Sequence, residues 1–219
     1  MKSAEIFFNW AFRTRAQTVM NIYNGVEMSK EKVFLSFCSH DPALISYGPA
    51  GLNASIKGIG FMPKPEYLEE TLEAYIEHIK TYDPEDKEYS KRGLGLLVKY
   101  MYGPEAQHRV DFSCIGSLEM AKDHSYRNYK ANPEATILFY QPPMISYEVR
   151  GKMEIHDETE SGKREIYQQF INAQHDVYHS PDMNRWLSYP AYVFRIEEVY
   201  DNSATKEGFG AKMQFPPIG

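Results

Sequence analysis

His-Ser-Tyr-Arg-Asn-Tyr-Lys-Ala-Asn-Pro occupies positions 124–133, Glu-Ala-Thr-Ile-Leu-Phe-Tyr follows over 134–140, and after Pro142-Pro143 comes a long alternating segment, Ile145–His156. This order decides the fold. A helical segment over Leu118–Lys130 runs into Asn132-Pro133, where proline has no amide hydrogen and turns the residue before it away from helix. Glu134–Tyr140 has the length and β-rich composition of a buried strand. In the third stretch Ile145, Tyr147, Val149, Met153 and Ile155 alternate with Ser146, Glu148, Arg150, Lys152, Glu154 and His156, and Gly151 takes the remaining apolar-side place. Alternation of this kind places one face of a strand on a core and the other toward water or a site.

Outward from this stretch, Ala4–Tyr23 reads as a helix with Ile6, Phe7, Trp10, Phe12, Val19 and Ile22 forming an apolar stripe. Val33–Ser39 and Ala43–Tyr47 read as a hairpin closed by His40-Asp41-Pro42. A glycine- and proline-rich segment, Gly48–Pro65, leads into an amphipathic helix carrying Leu68, Leu72, Tyr75, Ile76 and Ile79, and Tyr82–Arg92 reads as a solvated loop. Leu94–Tyr102 and His108–Cys114 read as a second hairpin around Gly103-Pro104. Lys163–Tyr178 is helical, Ala191–Tyr200 is a strand, and Gly208–Phe215 holds a short one. Strands dominate and helices are interposed without regular alternation, so the expectation is an α+β chain built on an antiparallel β-barrel. It is read as one domain over 1–219, with an N-terminal helical segment (1–30) and a helical insertion (48–92).

With 219 residues the chain is long enough for one sizeable core. No apolar run approaches the roughly 18 residues of a membrane span, so no membrane partner is expected. The net charge of -6 offers no general basic field for nucleic acid. Cys38 and Cys114 are the only cysteines, and both are expected to be free in a reducing compartment. Ile6–Phe12 is short, contains Asn9 and has no small-residue cleavage site after it, so it reads as a docking helix and the protein as cytoplasmic.

The phrases Arg127-Asn128-Tyr129, Asn132-Pro133 and Val149-Arg150-Gly151-Lys152-Met153-Glu154, in this order and spacing, resemble the FMN-binding split-barrel superfamily, the pyridoxamine 5'-phosphate oxidase-like proteins. The resemblance covers roughly Leu94–Asp157. It implies an antiparallel split β-barrel, FMN as cofactor, a homodimer with the flavin in a groove between subunits, and oxidoreductase chemistry on a small organic molecule. A non-catalytic flavin- or haem-binding protein on the same barrel is the alternative. The substrate clamp of true pyridoxamine 5'-phosphate oxidases, Arg-x-His-x-Arg, is missing; Gly208-Phe209-Gly210-Ala211-Lys212 stands near the C-terminus instead.

Site residues follow from the resemblance and from local chemistry. Ser113-Cys114-Ile115-Gly116-Ser117 is expected at a strand-to-helix junction, where free amides and small hydroxyls receive a phosphate; without the family, Ser117 is simply a helix cap. The resemblance places a basic residue at Ser125 to hold the phosphate, so Lys122 and Arg127 are the substitutes. It sets Lys99 near the flavin or its phosphate and Ser146 beside the ring. Cys114 is either a thiol activated at the anion site or a buried inert cysteine. His175 and His179, one helical turn apart, have metal-ligand spacing, yet also suit a polar helix end or contact with a substrate, as does Tyr178.

Overall fold

A computed structural model describes residues 2–216. The strands are β1 (Ala43–Gly48), β2 (Gly51–Ile56), β3 (Ile59–Pro63), β4 (Val110–Leu118), β5 (Glu134–Gln141), β6 (Ile145–His156), β7 (Ala191–Asp201) and β8 (Ala211–Lys212). They form one antiparallel sheet in the order β2-β1-β5-β6-β7-β4-β3, with β8 on β7. The helices are α1 (Glu5–Tyr23), α2 (Lys30–Phe37), α3 (Pro65–Ile79), α4 (Tyr89–Leu97), α5 (His124–Ala131), α6 (Glu158–Ser161), α7 (Ile166–Asp176) and α8 (Met183–Ser188). The fold is α+β, a split barrel. Its split lies between the β1–β2 hairpin and β3, and the segment before β1 bridges it: the Ile59 amide donates to the His40 carbonyl (2.8 Å) and that of Lys57 to the Pro42 carbonyl (3.2 Å).

The strands expected around the double proline are where the sequence puts them. Val149 and Met153 of β6 are buried between β5 and β7, while Arg150 and Lys152 face out. The ladder shifts register between Arg150 and Gly151, and a side chain at Gly151 would meet the Arg195 carbonyl at 1.9 Å. The bulge thus needs the glycine.

Helix α1 closes the barrel with aromatic side chains. Phe7 packs on Phe139 and Tyr147, centroids 5.1 and 5.3 Å away, and Phe12 packs edge-on against Phe61 and Phe112. Each buried phenylalanine contributes about 1.5–3 kcal/mol by leaving water. Helix α3 docks Leu72 and Tyr75, both fully buried, with Tyr75 stacked on Phe170 of α7.

Four expectations are corrected. Val33–Ser39 is not a strand: α2 starts at Lys30, capped by Ser29, whose hydroxyl accepts from the Lys32 amide. The partner of β1 is β2, so the hairpin turns at Gly48–Gly51. Leu94–Tyr102 is not a strand either. It is the end of α4 continued by a π-helical turn over Val98–Tyr102, and Leu94, Leu97 and Met101, spaced three and four apart, are buried together. Finally, β4 runs through Ser113–Ser117 without a break, so no strand-to-helix junction exists there; the next helix begins at His124. The segment 48–92 supplies the edge strands β2 and β3 and the helix α3.

Candidate functional site

A cavity of about 410 Å³ opens where the barrel is split, a size ordinary for small-molecule sites. Its position follows from two glycines. Gly60 of β3 and Gly116 of β4 stand directly opposite each other. A Cβ on Gly60 would fall 2.1 Å from Gln174 Oε1, and one on Gly116 would fall 2.9 Å from Ile171 Cγ1. The bare backbone therefore lets α7 lie close against β3–β4, and Gln174 Nε2 donates to the Phe61 carbonyl (3.0 Å) to fix it. This approach carries His175, Tyr178 and His179 to the cavity wall opposite Lys57, Gly58 and Glu119. Helix α1 adds Arg15, and the turn before β1 adds His40 and Asp41.

Arg15 is the charge that matters most. One guanidinium nitrogen donates to the Tyr178 hydroxyl (3.2 Å), the group lies 5.9 Å from the Tyr102 ring, and Nε is buried with no partner. No carboxylate among the described residues pairs with it. Around it, burial first, then the Arg15 charge and the neighbouring imidazoles, push His40 down to about 3. Burial, followed by the charge of His175, also lowers His179. His40 is thus neutral beside the Arg15 cation near pH 7. Burial raises the Asp41 carboxyl above its ordinary range although Arg15 opposes this. A half-buried guanidinium whose Nε has no partner is a receptor for a carboxylate or phosphate.

Beside the cavity, Asp176 is fully buried and accepts four hydrogen bonds. His175 Nδ1 (2.8 Å) and an Arg185 guanidinium nitrogen reach Oδ1, while Trp186 Nε1 (2.7 Å) and the Asp182 amide (3.1 Å) reach Oδ2. Burial alone would raise this carboxyl, but the bonds from His175, Arg185, Trp186 and Asp182 prevail and hold it at about 2.

On the opposite wall, Glu119 closes what would otherwise be an anion nest. Its Oε1 accepts from the amides of Met120, Ala121 and Lys122 at 2.9, 2.7 and 3.0 Å. Its Oε2 accepts from Lys57 Nζ (3.1 Å) and the Tyr192 hydroxyl (2.6 Å). Burial opposes ionisation most strongly, but these five donors outweigh it and lower the carboxyl.

The residues singled out in the sequence do not converge on one place. Ser117 lines the cavity, but its hydroxyl donates to the Gly58 carbonyl (2.9 Å). Lys122 pairs with the buried Asp157 (3.4 Å), Ser125 contacts Asn53 (2.9 Å) and Ser55 (3.1 Å), and Arg127 is exposed; the three are neighbours in sequence around the start of α5 but turn to different partners. Ser113 is exposed and bonds to Asp111, while Lys99 lies on the surface over the Tyr100 ring. Ser146 binds Ser203 through its backbone near the β7–β8 connection. Cys114 is buried, and burial, then Asp111, push its thiol up to about 12, which leaves it inert. His175 and Tyr178 do line the cavity. Their ring neighbour His179 is 4.6 Å from His175, but no group of three metal-type side chains is poised to hold an ion among the described residues. Arg15, His40 and Glu119 escaped the sequence reading. For Arg15 there was a signal: it falls between Phe12 and Val19 at steps of three and four, on the apolar stripe of α1.

No family model and no curated protein matches this chain. Among solved structures it is similar to Group A Streptococcus HupZ at 10% identity and a TM-score of 0.46, over 86% of this chain and 100% of that one. It is also similar to an F420 reductase at 16% and 0.40, covering 73% and 88%. A candidate pyridoxamine 5'-phosphate oxidase from Lactobacillus delbrueckii matches at 15% and 0.36, covering 80% and 93%. The neighbours thus include pyridoxamine 5'-phosphate oxidase-like proteins, the family that the sequence resembles. No helix among the described residues is long and apolar enough to cross a membrane.

Proposed function

We propose that the cavity receives a small organic anion of the carboxylate class, and that Arg15 holds its charged end. The observation that carries this reading is the buried, unpartnered Nε of a guanidinium that no carboxylate neutralises. A buried donor left without a partner is costly, and a bound carboxylate offsets that cost. Apolar walls from Ile59, Leu118 and Ile171 suit the rest of a compact molecule. Calorimetric titration with benzoate tests this: wild type binds, and Arg15→Met weakens binding by tenfold or more, about 1.4 kcal/mol per tenfold, while benzamide is unaffected. Equal affinities of wild type and Arg15→Met for benzoate would overturn it.

The cofactor reading is FMN, with oxidoreductase activity on that anion. It rests on the sequence resemblance and on the closeness in sequence of Lys122, Ser125 and Arg127 around the start of α5. These residues fit a phosphate: Arg127 is exposed and enters no ion pair with the described residues, Ser125 offers a hydroxyl, and Lys122 is one exchange away from Asp157. Bound flavin supplies hydride transfer; the chain's part is to bind, orient and exclude water. Two copies would meet on the outward apolar face of β1, β2 and β5, where Tyr47, Leu52, Ile56, Leu138 and Tyr140 are exposed. Haem is the second reading, favoured by the imidazoles of His40, His175 and His179 in the cavity. Absorption spectra after addition of FMN, riboflavin or haem distinguish these. Under the flavin reading, Lys122→Ala with Arg127→Ala weakens FMN by tenfold or more and riboflavin far less; equal losses would refute the phosphate assignment.

A further inference from the structure

The His175–Asp176 pair has a geometry that the binding reading does not use. Asp176 is ionised and can only accept, so His175 Nδ1 donates to it and the ring's proton sits on Nδ1. Nε2 then carries a free lone pair. It makes no hydrogen bond to the described residues, and the ring lines the cavity. Asp176 is itself locked by Arg185, Trp186 and the Asp182 amide, and Asn172 Oδ1 accepts from Arg185 Nε (3.0 Å) to hold that arginine in turn. A carboxylate fixed by a second layer, orienting an imidazole whose other nitrogen faces a cavity, is the arrangement of an acid–base catalyst.

We propose that His175 is the proton-transfer residue of the cavity, with Asp176 as its positioning residue. The inference rests on the anion reading above, in which Arg15 holds the ligand's charged end. Nε2 forms a bond to a proton taken from a C–H, N–H or O–H of the ligand. The electron pair of the broken bond stays on the ligand, and Nε2 later returns the proton to ligand or solvent. The negative charge that develops on the ligand faces Arg15, and the imidazolium faces Asp176. The other charged or titratable groups around the ring are His179 on the same face, His40 and Asp41 from the turn before β1, Lys57 and Glu119 on the opposite wall, and Arg185 behind Asp176.

The test needs no cofactor and no knowledge of the natural ligand. 5-Nitrobenzisoxazole is a compact planar probe: a base removes its ring C–H proton, that electron pair forms the nitrile, the N–O bond breaks, and a coloured phenolate is released. No oxidant or reductant enters. Wild type turns the probe over saturably, with a rate that rises with pH as an imidazole loses its proton. His175→Ala lowers the rate on the order of a hundredfold, whereas His108→Ala, at an exposed position outside the cavity, does not. Nitrogen NMR of the folded protein shows the His175 proton on Nδ1, and Asp176→Asn shifts that tautomer balance or the pH midpoint even where it lowers stability. No turnover above buffer, a rate unchanged by His175→Ala, or a His175 proton on Nε2 would each overturn the assignment. Benzoate binding that survives these outcomes leaves the anion reading standing. Benzoate binding that fails while His175-dependent turnover persists removes the anion reading alone.

Discussion

Asp176 has four donors on two oxygens, and acid must overcome them to protonate it. Its folded pKa of about 2 lies below the ordinary carboxyl value of 3.8. A depressed folded pKa means that the unfolded chain binds the proton more tightly, so the contribution is fully present above about pH 4 and disappears as pH falls toward 2. The difference corresponds to about 2 kcal/mol. Urea midpoints measured from pH 5 down to pH 2 should therefore fall in wild type and flatten over that window in Asp176→Asn, which starts from lower stability at neutral pH. An acid limb of unchanged slope in the variant would place the titrating group elsewhere. Single residues also show where sequence reading stops. His175 and Tyr178 were visible because two imidazoles stood a helical turn apart. Arg15 looked like the flank of an apolar helix, and only packing reveals that a charge on the stripe has been carried inside. Lys122 and Ser125 have polar partners from 157 and 53–55, and sequence spacing cannot foresee such pairings.

Among the elements, β5 and β6 could be read because their periodicity agrees with their burial, one face in and one face out, with Asn132-Pro133 marking the boundary. Helix α7 and β7 were legible from their apolar composition although they are buried on nearly every side. The readings failed where composition and local bonding disagree. Val33–Ser39 is rich in strand formers, yet the Ser29 cap and a run of helical hydrogen bonds decide for α2. Leu94–Tyr102 is equally β-rich, but Leu94, Leu97 and Met101 bury one helical side. The segment containing β2 and β3 was read only as rich in glycine and proline, and no strand was assigned to it, although Gly60 is there to admit α7. Helix α3 was recognised, and it belongs to the core, since Leu72 and Tyr75 are fully buried there. Leu72→Ala should cost about 2–5 kcal/mol through lost transfer energy and the cavity left behind, and deleting Met62–Tyr89 should prevent folding. Thermal denaturation of the point variant and circular dichroism of the deletion check both; a deletion that folds would show that the helix lies outside the core.

At the scale of the molecule, the sheet presents an uncovered apolar face beside a charged one. Ile56, Ala43 and Leu138 stand in one row across β2, β1 and β5, with Leu52 opposite Tyr47 in another. On β6 the outward face changes to Glu148, Arg150 and Lys152, with Arg150 bound to Glu148 and lying over Tyr200. Apolar rows flanked by charges of both signs are self-complementary across a two-fold axis. Leu52 is 79% exposed at the sheet edge, where an unpaired strand invites another chain. Under the dimer reading, Leu52→Lys should shift sedimentation across a dilution series from two copies to one while circular dichroism stays unchanged; a wild type already monomeric would refute that reading and the groove between copies. Trp10 and Trp186 are the only tryptophans. The indole of Trp10 hydrogen-bonds to Gln141, whereas that of Trp186 shares Asp176 with the His175 imidazole. Trp10→Phe would therefore leave a single native fluorophore wired to the carboxylate behind His175, so that the protonation of that imidazole could be followed by emitted light, with no added dye.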